Sequence, residues 1–195
     1  MKGQSKFFAV SSFATAALLF APGCLAHTFG AHGAGFADGL AHPFLGLDHL
    51  LAMLAVGFWA ARLGGPALWR VPVAFLMAMS VGAGLAGPAL DLPWLEAGIG
   101  GSVLALGLLV AFAPRLSGWL SLSLVALFAL FHGFAHGLEM PEAASPWGYG
   151  LGFLLATASL HFAGVLLGLA LGRFRLAALA AGSAIAATGL LLLAV

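Results

Sequence analysis

Lysine is almost missing from this 195-residue sequence: the only two, Lys2 and Lys6, lie at its extreme amino terminus. That excludes a P-loop, whose lysine holds nucleotide phosphates, and with it an ATP-driven pump built from this chain alone. Cysteine is scarcer still. The single Cys24 excludes a disulfide framework and a multi-thiolate metal site. Charged residues make up only 7% of the chain, against roughly 25% in ordinary soluble domains. So few charges could not cover the surface of a soluble fold, and nothing here suggests nucleic acid or a nucleotide as a partner. No charge run or hydrophilic linker marks a second domain.

What is present is apolar. Hydrophobic residues account for 63% of the sequence, so the chain reads as an all-α, polytopic membrane helix bundle whose main partner is the lipid bilayer. Residues 1–26 read as a cleaved signal peptide: Lys2 and Lys6 form a basic start, "FFAVSSFATAALLF" an apolar core, and "CLA" a small-residue cleavage site before His27. A retained first membrane helix is the alternative. Residues 27–195 then form one domain of six transmembrane helices, expected at about 43–63, 71–89, 97–113, 119–138, 149–171 and 176–194 from the ~20 apolar residues a bilayer requires. Pro43 suits the first turn of a helix, and "GGP", "GPALDLP" and "SPWGYG" are turn chemistry. Gly133 and Gly137, then Gly164, Gly168 and Gly172, recur at the spacing that lets helix backbones approach closely.

Charge placement sets an orientation. Arg62, Arg70, Arg115, Arg173 and Arg175 fall in or beside the odd-numbered loops, whereas Asp91, Glu96, Glu139 and Glu142 fall in or beside the even ones. The positive-inside rule then places the mature amino terminus in the periplasm and the protein in a bacterial inner membrane.

All seven histidines lie beyond the presequence: His27, His32, His42, His49, His132, His136 and His161. In "HPFLGLDH", a continuous helix puts His42 and His49 about 20° from a common face, with Asp38 in register and Asp48 turned about 100° from His49. In "FHGFAHGLE", His132, His136 and Glu139 share one stripe. His161 lies near the middle of the fifth span. Counting depth at about 1.5 Å per residue, the imidazoles form a ladder running inward from the acid-bearing end. Ionisable groups inside a membrane are costly and normally face a bundle interior or water path. For His161 alone, a neutral ring bonded to a carbonyl is an equally good account. Imidazole and carboxylate ligands suit Ni²⁺, Co²⁺ or Zn²⁺ without choosing among them.

The stretches "HPFLGLDHLLAMLAVGFWA" and "FHGFAHGLE" resemble the two hallmark motifs of the HupE/UreJ family, membrane proteins encoded with hydrogenase and urease accessory genes. The first is also similar to the His-and-Asp-His motif of nickel/cobalt transporters, in which the intervening spacing is one residue shorter. The resemblance implies uptake of nickel or cobalt for metalloenzyme maturation, with the ion as transported substrate, no permanently bound cofactor, and maturation proteins as downstream partners. It implies His42, Asp48, His49, His132, His136 and Glu139 as metal residues. His27, His32, Asp38 and His161 are secondary candidates from the residues themselves.

A divalent ion moving into a negative interior gains about 4.6 kcal/mol per 100 mV, twice the roughly 2.3 of a single charge. At about 1.4 kcal/mol per tenfold, that sustains roughly three decades of accumulation without a coupled ion. The alternatives are a zinc-dependent membrane hydrolase, with Asp48 or Glu139 as base, and a periplasmic metal sensor or chaperone. Transport assays separate these readings.

Overall fold

The computed structural model describes residues 35–87, 90, 92–114, 116–140 and 145–194. The signal-peptide reading of residues 1–26, and with it His27 and His32, falls outside the described residues.

The described chain is all helix. In order, α1 is Phe36–Ala41, a 3₁₀ turn is His42–Phe44, α2 is Leu47–Leu63, α3 is Ala67–Leu85, and α4 is Leu95–Phe112. Then come α5 at Gly118–Glu139, α6 at Pro146–Leu171 and α7 at Arg175–Leu192. Among the described residues, five helices are long and apolar enough to cross a membrane, and six spans result if the bent pair Phe36–Phe44 and Leu47–Leu63 counts as one. The protein is a multi-pass membrane protein.

That bend corrects the expectation of one continuous helix through His42 and His49. The two pieces meet at 82°. Pro43 sits in the 3₁₀ turn, and Gly46 is extended at φ −97°, ψ 122° as the N-cap of α2. A Cβ on Gly46 would lie 2.8 Å from Asp48 Oδ1 and 3.0 Å from His49 Cδ2. The missing side chain therefore leaves room for the Asp48 and His49 side chains to fold back over the break. The bend also removes Asp38 from any common helical register: its carboxylate accepts the Gly35 N–H at 3.1 Å, capping α1.

α2 is the central helix. His49, Ala52, Met53, Ala55, Val56, Gly57, Phe58, Trp59 and Ala60 are all buried, the pattern of a helix surrounded by other helices. Around it the spans pair through glycine. Gly57 of α2 faces the His161 carbonyl of α6, Gly133 of α5 faces the Met79 carbonyl of α3, and Gly107 of α4 lies against Ala186 of α7. In each case a methyl group would collide with the neighbouring backbone. Lipid offers little hydrophobic drive for helix association, so contacts this close supply the van der Waals attraction instead.

The described charges separate to opposite ends of the bundle. Arg62, at the end of α2, donates to the Gly172 carbonyl at the end of α6, beside Arg173 and Arg175. At the other end, Glu139 closes α5 and meets His42.

Candidate metal centre

Two segments build the centre. The 3₁₀ turn and the first turn of α2 carry His42 and His49, and the last two turns of α5 carry His132, His136 and Glu139. On α5 the i, i+4 spacing stacks both imidazoles on one face, with the carboxylate three residues on.

At the mouth, His42 Nε2 lies 3.1 Å from Glu139 Oε2. His136 Nδ1 lies 3.5 Å from the same oxygen, which is long for a hydrogen bond. One ligand atom from each of His42, His136 and Glu139 falls within 4.8 Å of the others. Neither ring nitrogen of His136 has a hydrogen-bond partner among the described residues. Its lone pair is thus uncommitted, although the ring is almost wholly buried.

Deeper in, His49 Nδ1 and His132 Nδ1 approach to 3.1 Å. The rings of His49 and His136 lie 4.0 Å apart between centroids, which joins the mouth to the inner pair. Exposure drops from 41% for the Glu139 side chain and 19% for that of His42 to 5% or less for His136, His49 and His132. The ladder expected from helix depth is therefore a continuous cluster of four imidazoles, open at one end and sealed at the other.

The remaining candidates are placed differently. Asp48 Oδ2 is 3.8 Å from His49 Nδ1, beside the cluster and outside hydrogen-bonding distance. Asp38 is engaged in its helix cap. His161 stands apart: its Nδ1–H donates to the Met53 carbonyl at 2.8 Å, and its Nε2 has no partner among the described residues. Phe75 lies between the two regions, with centroids 6.0 Å from His132 and 5.0 Å from His161.

Several residues that touch the cluster carry no metal-ligand signal in sequence. Phe153 packs 4.2 Å from the His136 ring and Tyr149 lies 5.8 Å from the His42 ring, forming an aromatic wall contributed by α6. Ser102 Oγ lies 2.8 Å from His132 Nε2. It is the one hydroxyl in the apolar run of α4, and that isolation is the only mark sequence gives it.

Comparison with known proteins gives a single picture. The HupE / UreJ protein family matches residues 15–192. Protein HupE of Rhizobium leguminosarum bv. viciae is 45% identical over 183 residues, covering 92% of this chain and 95% of that protein. No solved structure matches the chain.

Proposed function

This chain belongs to the HupE/UreJ family, and on that premise we propose that it is an inner-membrane permease taking up divalent nickel or cobalt for metalloenzyme maturation. The observation that carries the proposal is the graded cluster itself. A part-exposed carboxylate and a mostly buried imidazole receive the ion, and His136, His49 and His132 pass it into the buried interior of the bundle. Asp48 lies close enough to His49 to lend charge without competing for the ion.

The inner pair, with ring nitrogens 3.1 Å apart, offers imidazole donors that suit nickel, cobalt or zinc alike, so the choice of nickel or cobalt rests on the family. The test is uptake of ⁶³Ni²⁺ into proteoliposomes containing the purified protein, with Co²⁺ and Zn²⁺ as competitors. Transport competed by Co²⁺ more than by Zn²⁺ is the expected result. Metal binding without transport would leave a sensor or hydrolase.

Glu139→Gln keeps the shape of the mouth and removes its negative charge. Uptake at low metal is expected to fall steeply, with much of the loss recovered at saturating metal, because the carboxylate acts in capture. An equal loss at all concentrations would move Glu139 from the mouth to the transport step. His161→Ala should have the smaller effect, since Phe75 separates it from the cluster and a carbonyl already engages its ring.

The arginine-bearing end faces the cytoplasm in this reading, and the mature chain begins at His27. Reporter fusions after Arg70 and Arg175 are expected to give cytoplasmic signals, and fusions after Glu96 and Glu142 periplasmic ones. Arg175 and Glu142 fusions on the same side would break the six-span topology.

A further inference from the structure

Ser102 makes two short contacts through one oxygen. Its Oγ lies 2.7 Å from the Ile99 carbonyl, one turn back on α4, and 2.8 Å from His132 Nε2. A serine hydroxyl has one proton to donate and lone pairs to accept with. A carbonyl oxygen can only accept. If Ser102 gave its proton to His132, its oxygen would face the Ile99 oxygen at 2.7 Å with no hydrogen between them. Both contacts are hydrogen bonds in one arrangement only. Ser102 donates to Ile99 and accepts from a proton on His132 Nε2.

The consequence falls on the other ring nitrogen. With Nε2 protonated, the neutral His132 ring presents its Nδ1 lone pair, which in the absence of an ion accepts the hydrogen bond from His49 Nδ1–H at 3.1 Å. Ser102 is 1% exposed and His132 fully buried, so no solvent competes for either bond. A third helix, α4, which contributes no ligand candidate to the cluster, thereby fixes which nitrogen the inner pair offers.

We infer that Ser102 is a positioning residue, which holds His132 in the Nε2–H tautomer so that the lone pair of its Nδ1, shared with His49 Nδ1–H until an ion arrives, is the one turned to the transported divalent cation. The inference rests on the permease reading for its function, but the tautomer itself can be observed without transport.

The experiment uses the full-length protein labelled with ¹⁵N-histidine, free of metal, with the His132 ring assigned by its loss in a His132→Gln sample. Nitrogen shifts should place the proton on Nε2 in the unmodified protein. Ser102→Ala should bring in the Nδ1–H form, and Ser102→Thr, which keeps the hydroxyl, should restore Nε2–H. In the ⁶³Ni²⁺ assay, Ser102→Ala should lose about 10–100-fold at low metal, as is usual when a partner behind a ligand is removed. Ser102→Thr should recover most of this loss. Ser159→Ala is the matched control: Ser159 also bonds the carbonyl three residues back, Ala156, at 2.6 Å, and has no imidazole partner among the described residues. It should transport normally.

A proton on Nδ1 of His132 in the unmodified protein would overturn the assignment. So would a Ser102→Ala protein with unchanged tautomer, or uptake losses equal in Ser102→Ala and Ser159→Ala. If the unmodified protein moves no nickel, the permease reading fails, while the nitrogen shifts still decide the role of Ser102.

Discussion

Nickel uptake by the His49→Ala and His132→Ala proteins is expected to fall by more than about 100-fold, beyond the 10–100-fold typical of residues that only support a ligand. Each substitution removes one half of the inner pair, whose nitrogens lie 3.1 Å apart. The surviving ring cannot compensate alone, because the buried segment beside it is lined by Met53, Phe75 and other apolar side chains. An ion leaving the mouth would then have to shed water without regaining ligands, and an isolated charge in an apolar interior costs several kcal/mol or more. The measurement is ⁶³Ni²⁺ uptake per correctly inserted protein, with membrane abundance determined in parallel. Abundance should hold, since an alanine is easily accommodated in a bundle held together mainly by backbone contacts. Full transport by both variants would reduce these imidazoles to packing.

The second large effect concerns folding rather than chemistry. Gly57→Leu should sharply lower the yield of monodisperse protein and the thermal midpoint of what remains. A Cβ at Gly57 would collide with the His161 carbonyl and lie 2.8 Å from Val165 N, both on α6. From the other side, a Cβ on Gly164 would meet the Leu54 carbonyl and lie 3.1 Å from Gly57 Cα. The two helices thus touch backbone to backbone, and rotamer change relieves nothing. Overpacking ordinarily costs about 1–3 kcal/mol; here the obstacle is backbone, so α2 and α6 must separate. Separation would break the His161–Met53 hydrogen bond and draw the α6 aromatics away from His42 and His136. Gly101→Leu supplies the contrast, because among the described residues no atom beyond its own stretch of helix lies within 4 Å of a Cβ placed there. Equal thermal midpoints for the two variants would contradict this account of the packing.

The helices were largely legible in the sequence because hydropathy and turn chemistry act over long windows. The expected fourth span, 119–138, differs by a residue at each end from α5, Gly118–Glu139. α3 begins four residues before its expected start, at Ala67, because Pro66 serves as its N-cap rather than as loop. The stripe of His132, His136 and Glu139 was legible for the same reason: regular helix geometry converts spacing directly into direction. The first motif was not, since Pro43 and Gly46 are each compatible with the beginning of a helix and only together make a bend. Ser102, Phe75 and Phe153 carry no ligand chemistry of their own that spacing could reveal. Their relation to the imidazoles exists only once α3, α4 and α6 are packed around α2.

The bend between Phe44 and Leu47 makes the two halves of the centre mechanically unlike. His132 and His136 are marks on a ruler, held about 6 Å apart along the axis by four residues of helix. His42 and His49 are the ends of an adjustable jaw, whose opening is set by the torsions of Leu45 and Gly46. Loss of one residue from a continuous helix would swing one imidazole by about 100° and ruin the site. Loss of one residue at a bent joint only shortens the jaw. A one-residue change in the spacing of His42 and His49 would therefore act on a hinge in this chain, and not on the phase of a helix.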